Sequence, residues 1–137
     1  MARPLLLTGL LALLPFTACA TTPAPDWQGN AAQATAAETL VASDPAGWQQ
    51  VWTKVGQAAP RDLPDDTTAV AVFAGQKRTG GYSVEFVAVQ DGASAVTVTY
   101  RIRKPRFDEM VTQALTSPYA IQLVSNQGKP VTVQEVR

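Results

Sequence analysis

Histidine is absent from this chain of 137 residues, which excludes the Ser-His-Asp triad, the Cys-His pair and every histidine-ligated metal site. Cysteine occurs once, as Cys19, so no intramolecular disulfide can form and burial alone must hold the fold. Charge of one sign is not in excess: eleven basic residues face eleven acidic ones. Removing Arg3 with the leading segment leaves about −1, a balance that argues against nucleic acid or anionic lipid as the main partner. The glycine signatures of phosphate loops and dinucleotide sites are missing. Two carboxylate pairs exist, Asp65-Asp66 and Asp108-Glu109. Adjacent side chains diverge, and both pairs sit beside turn or capping signals, so neither suits acid/base catalysis. Lys54, Lys77, Lys104 and Lys129 all lie in polar settings, unlike the desolvated lysine of a Ser-Lys hydrolase. No catalytic residue, metal or cofactor is therefore expected.

What is present begins with Met1-Ala2-Arg3, the apolar run Leu5 to Phe16, and Thr17-Ala18-Cys19. Roughly a dozen apolar residues are too few to span a ~30 Å hydrocarbon core, and small residues follow directly, as in a cleavable export signal. Thr17-Ala18-Cys19 resembles the bacterial lipobox, with Phe16 where leucine is usual. Residues 1–18 then read as a lipoprotein signal peptide and Cys19 as the lipidation site. A second reading takes Ala18-Cys19-Ala20 as an A-x-A signal cut after Ala20, which discards the thiol and releases the domain. Ala20 in place of the aspartate of inner-membrane retention points to the periplasmic face of an outer membrane. Residues 19–37 are small, polar and low in complexity, with Trp27 the one large apolar group. They read as a flexible tether with a reach of roughly 20–25 Å.

Residues 38–137 provide one modest core. Ser43-Asp44-Pro45 signals a helix start with Ser43 at the N-cap, and a helix is expected from Pro45 to Gly56. Trp48, Val51, Trp52 and Val55 recur at i, i+3, i+4 and i+7, forming one apolar stripe for the core. Five segments rich in valine, threonine and aromatics follow, at 67–74, 82–90, 95–103, 119–124 and 131–136, and read as strands. In the third, Val96, Val98, Tyr100 and Ile102 alternate with Thr97, Thr99, Arg101 and Arg103, and its apolar face is expected to meet the helix. Asp91-Gly92-Ala93-Ser94 and Asn126-Gln127-Gly128-Lys129 read as hairpin loops. An early edge strand near Thr39 to Ala42 is a further candidate. The expected fold is α+β: a mainly antiparallel sheet of four to five strands with one amphipathic helix packed on one face.

Between the first two long strands stands Gly75-Gln76-Lys77-Arg78-Thr79-Gly80-Gly81-Tyr82, and later Thr116-Ser117-Pro118-Tyr119. With the paired tryptophans of the preceding helix, this order resembles the C-terminal domain family of the protease complex subunit PrcB, over about Leu40 to Val136. The resemblance implies a non-enzymatic accessory module that binds an envelope protein, such as a protease, and stabilises or modulates its complex. Lys77, Arg78, Thr79, Gly80, Gly81, Tyr82 and Tyr119 are the candidate partner-binding residues, since exposed loops on a rigid sheet commonly carry binding. For each, turn geometry, solvation or packing is the competing reading. Arg101, Arg103, Lys104 and Arg106 form a basic stripe, read as a solvated face or a contact for an acidic protein partner. Two other functions stay open. A small-ligand or glycan-binding periplasmic domain predicts an aromatic-lined pocket, and an enzyme without histidine predicts a convergent cluster of perturbed groups.

Overall fold

The computed structural model describes residues 25–137; the signal, Cys19 and the first residues of the expected tether lie outside them. The described residues form three layers: one helix, a four-stranded sheet and a three-stranded sheet. In chain order the elements are β1 (Trp27–Gly29), β2 (Ala37–Ala42), α1 (Pro45–Val55), β3 (Thr67–Ala74), β4 (Ser83–Asp91), β5 (Val96–Arg103), β6 (Tyr119–Ser125) and β7 (Val131–Glu135). None of them is a helix long and apolar enough to cross a membrane.

The first sheet runs β1-β6-β3-β2 with every pairing antiparallel. Its centre is β3, buried from Thr68 to Ala74, because both of its faces are covered. Ala69, Ala71 and Phe73 point to α1, joined by Tyr119 and Ile121 of β6. The alternate set Val70, Val72 and Ala74, with Ala120 and Val124, meets the second sheet. Period-two alternation thus sorts a nearly continuous apolar run into two cores. The helix lays Trp48, Val51, Trp52 and Val55 on the first core, each side chain stabilising by about 1.5–3 kcal/mol through burial. Its N-cap is Asp44, whose carboxylate accepts from Gly47 N at 2.6 Å, and not Ser43. Pro45 occupies the first turn, where a missing N–H costs least.

The second sheet runs β4-β5-β7. The expected β4–β5 hairpin is present, closed by Gly92 N donating to Ala95 O at 2.9 Å. Two expectations are corrected here. The strands divide into sheets of four and three instead of forming one sheet, and Val96, Val98 and Tyr100 of β5 pack on the first sheet's far face instead of on the helix. The hairpin expected between β6 and β7 does not form. Asn126 to Lys129 makes a turn, with Lys129 N donating to Asn126 O at 2.8 Å, but the chain leaves the first sheet and β7 pairs parallel with β5. Lys129 fixes that transfer by pairing with Asp91 and donating to Gly92 O at 2.9 Å, both at the β4–β5 loop.

The flexible tether is corrected over its described part. Trp27 of β1 pairs with Ile121 and packs against Trp48 and Trp52 at 5.6 and 5.4 Å between ring centroids. Those two rings stand 5.6 Å apart, nearly perpendicular, so all three tryptophans of the chain form one edge-to-face cluster. Trp48 Nε1 donates to Arg61 O at 2.8 Å, and the Arg61 guanidinium lies 5.5 Å from the centre of the Trp27 ring. Farther along, Ala32 N and Ala34 N donate to Ser117 O and Lys54 O. Ala32 and Ala34 are half-buried against the first core, while Ala31, Gln33, Thr35, Ala36 and Ala37 are exposed.

Candidate partner-binding site

The turn between β3 and β4 is held by the long loop that follows β5. Lys77 N donates to Thr116 O at 2.7 Å and Thr116 N returns a bond to Lys77 O at 2.9 Å. Thr116 Oγ1 donates to Thr79 O at 2.8 Å, Gly80 N to Thr112 O at 2.8 Å, and Arg103 Nη1 to Gly81 O at 3.1 Å. Five bonds over five residues make this a clamp rather than a free loop. Only the second glycine of the pair takes a left-handed conformation, with φ +88° at Gly81. A Cβ on Gly81 would lie 2.6 Å from Val111 Cγ1 and 2.7 Å from Pro105 Cβ, whereas one on Gly80 would meet nothing closer than 3.5 Å. The pair therefore has one obligatory glycine, set by both φ and space.

The loop at 104–115 has its own anchor. Glu109 accepts from Arg106 N at 2.9 Å and from Arg103 Nη2 at 3.3 Å through both carboxylate oxygens. The Arg106 N–H first, and then the Arg103 guanidinium, hold the Glu109 carboxyl below its ordinary value of 4.5. Asp108-Glu109 is thus half a structural clamp. Arg101 is also committed, with Nε 2.7 Å from Glu85 Oε2. Within the basic stripe, Lys104 and Arg106 have no salt bridge among the described residues.

The seven candidate binding residues separate into three groups. Arg78 is exposed, while Lys77 is half-buried with Nζ 5.3 Å from the centre of the Tyr82 ring, a cation–π distance. Thr79, Gly80 and Gly81 are half-buried and belong to the clamp. Tyr82 and Tyr119 come together on a cleft of about 410 Å³ with Gln28, Gly29, Asn30, Ser83 and Val84. Tyr119 is buried and stacks on Phe73 at 6.2 Å, and burial pushes its hydroxyl up from 10.0. A second cleft of about 700 Å³ is lined by Lys77, Ile102, Lys104, Glu135, Val136 and Arg137.

Sequence reasoning missed the crest of the 104–115 loop. Phe107, Met110 and Leu115 stand 103%, 98% and 67% exposed. The signal available was their spacing: with Val111 they recur at i, i+3, i+4 and i+8, the pattern of an amphipathic helix, although the segment forms no helix. Among the described residues, no group of three or more metal-ligating side chains converges.

Residues 68–124, from β3 through the clamp to β6, match the family model described as PrcB C-terminal. Over this stretch the chain is similar to the PrcB C-terminal family. The match contains the 75–82 turn, the 104–115 loop that clamps it and the Ser117-Pro118-Tyr119 entry to β6. It is shorter than the resemblance read from sequence, since α1 and β7 lie outside it. Comparison with curated proteins and with solved structures gives no match.

Proposed function

We propose that this protein is a non-enzymatic accessory module of the cell envelope that binds another protein and stabilises or modulates a protease complex. The observation that carries the reading is the PrcB C-terminal match, which includes the whole turn and the loop clamped to it. A rigidly held loop pair on a two-sheet scaffold is suited to recognition with little ordering cost. The absence of histidine from the sequence accords with a binding role. Export and acylation at Cys19 belong to the same proposal. Residue 25, the first described, is six residues beyond Cys19, a span of at most ~20 Å, so an acylated Cys19 would hold the domain close to the membrane surface.

The test is an affinity pull-down of tagged full-length protein from crosslinked envelope membranes, read by mass spectrometry beside Cys19→Ala. Enrichment of a protease or of a protein bound to one supports the reading. A blank after crosslinking counts against it. A second reading, a neutral small-ligand or glycan site, is favoured by the 410 Å³ cleft, which is lined by two tyrosines, two side-chain amides and a serine and by no acidic or basic side chain. Thermal stabilisation by soluble envelope glycans, lost in Tyr82→Ala, would support that alternative.

A further inference from the structure

Among the described residues, Lys77, Arg78, Lys104, Arg106 and Arg137 have no salt-bridge partner, and they gather around the turn and loop just described. Lys77, Lys104 and Arg137 line one concave cleft with Ile102, Val136 and a single carboxylate, Glu135. Lys77 is presented from a fixed base, its backbone bridged to Thr116 and its ammonium over the Tyr82 ring. The loop carrying Phe107 and Met110 packs on the same turn, with Pro105 and Val111 at Gly81 and Thr112 O accepting from Gly80 N. Its backbone is tied down at Thr112 and Glu109, so these nearly fully exposed apolar groups are held outward. Aromatic, Met and Arg residues are the types enriched at interface cores, and an apolar crest beside a positive concavity marks a surface awaiting a partner.

We infer that the Lys77/Lys104/Arg137 cleft and the Phe107/Met110 crest form one docking surface for an acidic, apolar-bearing segment of a partner protein. This deepens the protein-binding reading and rests on it. Charge complementarity favours the occupant: three basic side chains against the one acidic side chain of Glu135 leave the cleft a cationic excess that an anionic guest would offset. The concavity suits a polypeptide segment over a flat bilayer, and Asp108, between the crest residues, opposes an anionic lipid surface. Carboxylates of the segment would face the cleft while its leucine or phenylalanine side chains cover the crest.

The direct test uses a fluorescein-labelled peptide in which aspartates alternate with leucine and phenylalanine, titrated into the full-length protein. Controls are the same peptide with lysines for aspartates and phosphatidylglycerol vesicles. The expected result is binding of the acidic peptide alone, weakened by raised salt. It should fall on the order of tenfold in Lys77→Glu with Lys104→Glu, and also in Phe107→Ser with Met110→Ser. Lys104, Phe107 and Met110 are exposed, so changing them should leave the melting temperature at the wild-type value; Lys77 is half-buried on the Tyr82 ring, and Lys104→Glu alone gives the charge test without disturbing that contact. Absence of acidic-peptide binding, binding indifferent to both variants, or equal binding of the lysine peptide overturns the inference. Vesicle binding lost in the same variants, without peptide binding, overturns it in favour of a lipid surface. An envelope pull-down that still captures its partner with the charge-reversed protein removes this surface and leaves protein binding standing. A blank wild-type pull-down with peptide binding intact removes the envelope role and leaves the acidic-segment site supported.

Discussion

Gly81→Ala should unfold this protein more easily, while Gly80→Ala, one residue away in the same motif, should not. At Gly81 the backbone sits at φ +88°, where a Cβ costs about 1–2 kcal/mol. That Cβ would also fall inside contact distance of Val111 and Pro105, at 2.6 and 2.7 Å. Neither neighbour is the far end of a flexible side chain, so overpacking adds about 1–3 kcal/mol unless the 104–115 loop shifts away. The combined loss is about 2–5 kcal/mol, and at roughly 4 °C per kcal/mol for a domain of this size the melting temperature should fall by about 8–20 °C. At Gly80 the nearest atoms to a new Cβ are in Thr112 at 3.5 Å, an ordinary contact, and φ is outside the left-handed range. Gly80→Ala should therefore melt within about 2 °C of wild type, or slightly higher, because alanine restricts the unfolded chain. Thermal melts followed by circular dichroism, with urea titrations for the free energies, give both numbers. Equal losses at the two positions, or a Gly81→Ala protein as stable as wild type, would refute the clamp argument.

Three further predictions address packing, capping and pH. Trp27→Ala should cost about 2–4 kcal/mol by opening the tryptophan cluster, read as a lower urea midpoint; a tether residue would cost nothing. Asp44→Ala should remove about 1 kcal/mol of helix stability while Ser43→Ala stays within about 0.5 kcal/mol, because only Asp44 caps Gly47 N. For Glu109 the folded carboxyl is held below its unfolded value. Its stabilisation is present above the unfolded value and is lost as pH falls through the lower folded one. Wild type should lose more melting temperature than Glu109→Gln between neutral pH and pH about 3, and parallel acid limbs for the two proteins would count against the clamp.

Much of the local structure was legible. The Trp48/Val51/Trp52/Val55 stripe has one buried face at helical spacing, and the β4–β5 loop carries its turn residues in the chain itself. The continuous run Ala69 to Ala74 also carried more than a strand assignment: apolar residues on both faces imply cover on both sides, a clue to the second sheet. In the candidate site, the double glycine and its neighbours were visible as a turn, but Thr112, Thr116 and Arg103, which clamp it, lie far along the chain. Glu109 read only as half of a carboxylate pair, since its partners Arg103 and Arg106 N converge only after the loop folds back. Trp27 misled for the opposite reason, standing as one apolar group in a stretch with the composition of a linker.

The lack of histidine chemistry, the helix with its tryptophan stripe, the strand segments and the double-glycine turn all follow from residue type and short-range periodicity. Contacts in three dimensions are what divide the strands into two sheets, take β7 away from β6 to run parallel with β5, and bring the residues near Trp27 onto the first core. They also bring Lys77, Lys104 and Arg137 to one cleft. Periodicity says which face of an element is buried, but not what covers it. That choice is made by contacts between residues distant in sequence, where shape and hydrogen bonding select one partner among several with the same apolar face.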